Sequence, residues 1–112
     1  MTRGDAMQPL PEHPLTLAEI QDYVQKMEAE RGFSGSSIVE QTLKLAEETG
    51  EVAKAVRKRQ ALGIDPASTT GDLGAELADV LIYLAAIANR TGIELSQALR
   101  DKERINETRT WS

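Results

Sequence analysis

The chain has 112 residues, 40 % of them hydrophobic and 28 % charged, a formal net charge of −5 and no cysteine. That composition suits one globular domain. It excludes a disulfide framework, a thiolate zinc site and a thiol nucleophile, and without a broad basic face it offers nothing to a nucleic-acid polyanion.

Residues 1–14 hold three of the four prolines and no periodicity, so they read as a mobile tail ahead of a single domain over residues 15–112. The tail has no apolar run of the kind a signal peptide needs, and Arg3-Gly4-Asp5 reads as a chance adhesion-like tripeptide. Thr16 with Glu19 makes a capping box, and Leu17, Ile20, Val24 and Met27 follow at helical spacing, which predicts a first helix ending near Gly32. Ser37 with Glu40 opens a second, running to about Gln60. Ala61 to Gly71 reads as a loop by its Gly, Pro and Thr content. A third helix is predicted from Asp72 to Arg90, closed by Thr91-Gly92, and a fourth from Leu95 to Glu107. No stretch shows strand alternation, so the fold class is all-α, a four-helix bundle type.

The third helix sets the expected assembly. Residues 77–88 are apolar on nearly every side except at Asp79, and such a helix is buried all round. Three neighbours of this size leave part of it uncovered, which predicts a homodimer or homotetramer. The same run is shorter than the ~20 residues of a membrane span, so a cytoplasmic protein with no membrane partner is expected.

Acidic residues gather on two of these helices. At about 100° per residue, Glu48 and Glu51 stand about 60° apart and Glu47 about 40° beyond Glu51, with Leu45, Val52 and Val56 on the other side of Glu48. On the third helix Glu76 and Asp79 are i and i+3 beside Val80, Leu84 and Ile87, and Asp72 lies one turn earlier on the same face. If the apolar stripes pack together, Glu48, Glu51, Glu76 and Asp79 converge. Each like-charge pair at ~4 Å costs about 4 kcal/mol at an effective dielectric near 20. Two remedies exist: protons, through raised pKa values, or cations. A set of oxygen donors without His or Cys suits Mg²⁺ or Mn²⁺, and Ca²⁺ less well. A di-iron bundle needs Glu-x-x-His motifs, and the one histidine, His13, lies in the tail. Taken singly, each acidic motif is most simply a solvated helix face.

Together they resemble a family. EExxE at Glu47-Glu48-Thr49-Gly50-Glu51, ExxD at Glu76-Leu77-Ala78-Asp79, then VLIYL and Ala88-Asn89 with Gly92, are similar to the MazG-like all-α nucleoside triphosphate pyrophosphohydrolases. The run ELADVLIYLAAIANRTGIEL resembles the branch containing dCTP pyrophosphatase. Lys102, Asn106, Arg109 and Trp111 fit the family's basic ending, so the likeness covers residues 16–111. It implies a helical bundle completed by oligomerisation, with Mg²⁺ (or Mn²⁺) held by Glu48, Glu51, Glu76 and Asp79. The implied reaction cleaves a nucleoside triphosphate between the α and β phosphorus atoms, giving the monophosphate and pyrophosphate. Glu47 would orient or deprotonate the attacking water, as a catalytic group beside Glu48 and Glu51. Tyr83 would contact sugar or base, and Lys102, Asn106 and Arg109 would reach phosphates. Glu107 departs from the basic residue common after that asparagine. Phe33 fits a hydrophobic anchor better than a base-stacking platform. Arg57, Lys58 and Arg59 complement the dipole at a helix end, and Lys44 pairs with an acid. The expected role is clearance of non-standard or surplus (deoxy)nucleotides. The alternatives are phosphoribosyl-ATP pyrophosphohydrolase of histidine biosynthesis and a non-catalytic oligomerisation or regulatory module.

Overall fold

The computed structural model describes residues 8–60 and 72–110. The Arg3-Gly4-Asp5 tripeptide, the segment read as a loop at 61–71 and Trp111 lie outside the described residues. Four helices and no strand are found among those described: α1 Leu17–Arg31, α2 Ile38–Arg59, α3 Leu73–Thr91 and α4 Leu95–Glu107. None is long and apolar enough to cross a membrane.

The helix ends follow from local chemistry. The Thr16 hydroxyl accepts the Glu19 N–H at 3.1 Å, and the Glu19 carboxylate accepts the Thr16 N–H at 2.9 Å, which satisfies two donors that a helix start leaves open. Ser37 caps α2 by accepting the Glu40 N–H at 3.1 Å. Gly32 ends α1 at φ 79° and Gly92 follows α3 at φ 69°, a left-handed backbone that side chains with a Cβ rarely adopt. Glu94, just ahead of α4, makes no cap with its own side chain.

The chain divides into two compact units. One comprises residues up to Gly35 and those from Ala88 onward; the other is Ser36–Ile87. In the first, α1 packs against α4, with Val24, Met27 and Ala88 buried. Gln21 organises it. Its side-chain amide donates to Asn89 Oδ1 at 3.1 Å and to the Ile93 carbonyl at 2.8 Å, and its Oε1 accepts the Leu95 N–H at 2.9 Å. Asn89 returns a hydrogen bond to the Gln21 carbonyl at 2.9 Å. Nearby, Arg90 grips Glu28 through two nitrogens at 2.6 and 2.8 Å and donates to the Phe33 carbonyl at 3.1 Å. Glu28 is only 6 % exposed, so its charge depends on this fork-to-fork pairing. His13, expected in a mobile tail, has its ring 2.7 Å from the Glu19 carboxylate.

The second unit consists of α2 and the length of α3 up to Ile87. Gln41 and Ala55 are the buried residues of α2, and Ala85 and Ala86 are buried on α3. Its larger apolar side chains are markedly open: Val39 is 67 % exposed, Leu43 63 % and Leu77 52 %.

Candidate metal centre

The two buried residues of α2 locate the site. Gln41, Glu48 and Ala55 are spaced by seven, which at about 100° per residue keeps them within about 20° of one stripe. Glu48 thus stands in the inward row of α2. Its Oε2 is buried and has no hydrogen-bond partner. On α3, Glu76 and Asp79 are i and i+3, and one carboxylate oxygen from each of Glu48, Glu76 and Asp79 lies within 4.8 Å of the others. Glu48 and Glu76 are half-buried.

Electrostatics registers the crowding. The Glu48 carboxyl is pushed up from 4.5 to about 7, first by a hydrogen bond shared with Glu76, then by burial, then by the charges of Asp79, Glu76 and Glu51. A proton held between two carboxyls is one of the two remedies for convergent acids; a cation is the other. Tyr83 lies one turn beyond Asp79 and is half-buried. Its phenol is raised above its usual value by burial and by the charges of Glu48, Asp79 and Glu47. It therefore stays protonated at neutral pH and can donate a hydrogen bond.

Not every expected ligand joins the cluster. Glu51 acts on Glu48 through its charge, but its own carboxylate faces Lys54 at 3.8 Å on its own helix. Glu47 is exposed. Lys102, Asn106 and Arg109 belong to the other unit, on or just after α4. Lys102 and Arg109 are exposed, Asn106 is half-buried, and the Asn106 amide donates to Glu103 at 3.1 Å.

The donor set fits a hard divalent ion. Mg²⁺ holds oxygens at about 2.1 Å, which spaces neighbouring ligands about 3 Å apart and opposite ones about 4 Å apart. The three carboxylate oxygens, within 4.8 Å of one another, lie close to that spacing. The partnerless Glu48 oxygen is the kind of buried acceptor that needs a positive neighbour.

Residues 36–107 match the MazG nucleotide pyrophosphohydrolase domain, well over half of the chain. The protein belongs to the MazG nucleotide pyrophosphohydrolase family. A relative from Salmonella phage PMBT28 named dATP/dGTP diphosphohydrolase is 36 % identical over 96 residues, which is 86 % of this chain. The chain spans 28 % of that relative's own length. The matched MazG region begins one residue ahead of the α2 cap, Ser37, contains all three converging acids, and ends with α4.

Three groups do work that no motif points to. Asn89 belongs to the family signature, yet its amide also ties α3 to α1. Its partner Gln21 carries no motif, and only its helical position facing the α3–α4 turn marks it. Asp72 shares the helical face of the acids, but its oxygen accepts the Ala75 N–H at 3.1 Å, as an N-cap does. The signal was present: an aspartate directly ahead of a helical run.

Proposed function

We propose that this MazG protein hydrolyses (deoxy)nucleoside triphosphates, in the presence of Mg²⁺, to the monophosphate and pyrophosphate, and so clears surplus or non-standard nucleotides in the cytoplasm. The carrying observation is the convergence of Glu48, Glu76 and Asp79 around a buried, partnerless carboxylate oxygen. Glu51 completes the ligand set once its carboxylate leaves Lys54. The printed name of the phage relative makes dATP and dGTP the first substrates to test.

Bound divalent ions would supply charge neutralisation for the triphosphate and polarise the attacking water. The protein's own groups do the rest. Glu48, Glu76, Glu51 and Asp79 fix where that charge sits. Glu47, exposed one residue before Glu48, orients the attacking water. Tyr83 donates its phenolic hydrogen to the sugar or a phosphate oxygen. Lys102 and Arg109 supply positive charge for phosphates, and Asn106 an amide donor. Phosphoryl transfer asks mainly for this positioning and electrostatic complementarity.

The test is a panel of the common ribo- and deoxyribonucleoside triphosphates with Mg²⁺, followed by phosphorus NMR. Monophosphate plus pyrophosphate is expected; orthophosphate release, or no turnover of any nucleotide, would remove this reading. Asp79→Asn and Glu51→Gln should each abolish turnover while leaving the metal-free fold at least as stable.

A further inference from the structure

Glu76 is the converging acid nearest to a helix end. Its N–H donates to the Asp72 carbonyl at 3.0 Å, so it stands at the first closed turn of α3. Helix ends are where a helix opens most readily, because their first N–H groups lack carbonyl partners. Here the Asp72 side chain accepts one of those donors, the Ala75 N–H, at 3.1 Å. The same turn is shaped around that oxygen. A Cβ placed on Gly74 would come to 3.0 Å from Asp72 Oδ2, so that oxygen would have to give by a few tenths of an ångström from its place on the Ala75 N–H, while nothing crowds the other described helical glycine, Gly50.

From this geometry we infer that Asp72 and Gly74 form a dedicated positioning device for Glu76. Asp72 acts through the backbone of the first turn, and Gly74 leaves room for its capping oxygen. Together they hold the Glu76 carboxylate at the Glu48–Asp79 cluster. Asp72 itself is a positioning residue, not a ligand. The inference rests on the divalent-ion reading above.

The experiment is a Mn²⁺ titration followed by electron paramagnetic resonance on the parent, Asp72→Ala, Asp72→Asn and Gly74→Ala. It is paired with thermal melting without metal and with kcat measured against Mg²⁺ concentration. Asparagine caps about as well as aspartate, whereas alanine loses about 1 kcal/mol of capping, equivalent to about fivefold in an equilibrium constant. Asp72→Ala should therefore bind Mn²⁺ more weakly, by up to about fivefold, and need more Mg²⁺, while kcat at saturating Mg²⁺ is kept. Asp72→Asn should stay within about twofold of the parent. Gly74→Ala should also weaken Mn²⁺ binding, although alanine is the better helix former. It carries the test if Asp72→Ala does not fold.

Equal losses in Asp72→Ala and Asp72→Asn would show that the carboxylate acts through its charge, and would overturn the inference. Unchanged Mn²⁺ affinity in Asp72→Ala and Gly74→Ala would overturn it as well. A parent that binds no Mn²⁺ would instead bring down the metal reading itself, so the two failures are distinct.

Discussion

Glu48 has two ways to be neutral at its site, and pH decides between them. Its folded pKa, about 7, lies above its ordinary 4.5. The folded state therefore holds this proton more tightly than the unfolded chain does. Stability from this group is fully present below about pH 4.5 and is lost as pH rises through about 7. Without metal, the melting temperature of Glu48→Gln should gain on that of the parent between pH 5 and pH 8, because glutamine has no proton to lose. Parallel melting curves across that range would refute the shift. With Mg²⁺ the order reverses. Metal displaces the proton, so the stabilisation by metal should grow with pH through 7 in the parent and be absent in Glu48→Gln. At a metal concentration 100 times Kd it amounts to ~2.7 kcal/mol.

At the scale of elements, capping boxes and helical periodicity made the helices legible, because those signals are local. The Thr16–Glu19 box and the glycine at 32 act within one turn of where they stand in sequence. The acid pairing was legible for a related reason, since i, i+3 spacing on two helices sets a face in advance. Side-chain pairs across long sequence separations were not legible. Gln21 bonds residues 68 to 74 positions away, and Glu28 bonds Arg90 across 62, where no periodicity points. The orientation of Glu51 toward Lys54 was hidden too, because two rotamers of one glutamate share a sequence. These distant pairs should be costly to break. Gln21→Ala removes three hydrogen bonds worth about 1 kcal/mol each and should lower stability by ~2–3 kcal/mol in urea unfolding. Arg90→Ala strands the buried Glu28 carboxylate, so a loss of ~3–5 kcal/mol is expected. The Glu28→Gln, Arg90→Ala double variant should lose less than the sum of the single changes; strict additivity would mean that the pair is not coupled.

For the whole molecule, the exposed apolar side chains set the question. Val39 and Leu43 on α2 lie roughly opposite Glu48, nine and five residues away at about 100° each. With Ala46, Gly50 and Ala53 they make a second apolar face, behind the one that carries the acid. On α3, Leu77, Leu81 and Leu84 recur at i, i+4 and i+7, roughly 80–140° round the helix from Glu76 and roughly 140–160° from Asp79, and are 52 %, 37 % and 42 % exposed. Large apolar patches left open in this way mark interaction surfaces. A second copy of the chain supplies matching faces by symmetry, so the proposed assembly is a homodimer or a tetramer built from it. On a monomer, Leu43→Lys and Leu77→Lys are surface substitutions that change stability by no more than about 0.5 kcal/mol. In a dimer each buries an unpaired ammonium against apolar side chains. Sedimentation of the parent should therefore give at least twice the chain mass and its melting temperature should rise with protein concentration, whereas either variant should shift to the monomer and melt at a temperature independent of concentration. A parent that sediments as a single chain at all concentrations, with both lysine variants melting alongside it, would mean that these faces are simply exposed.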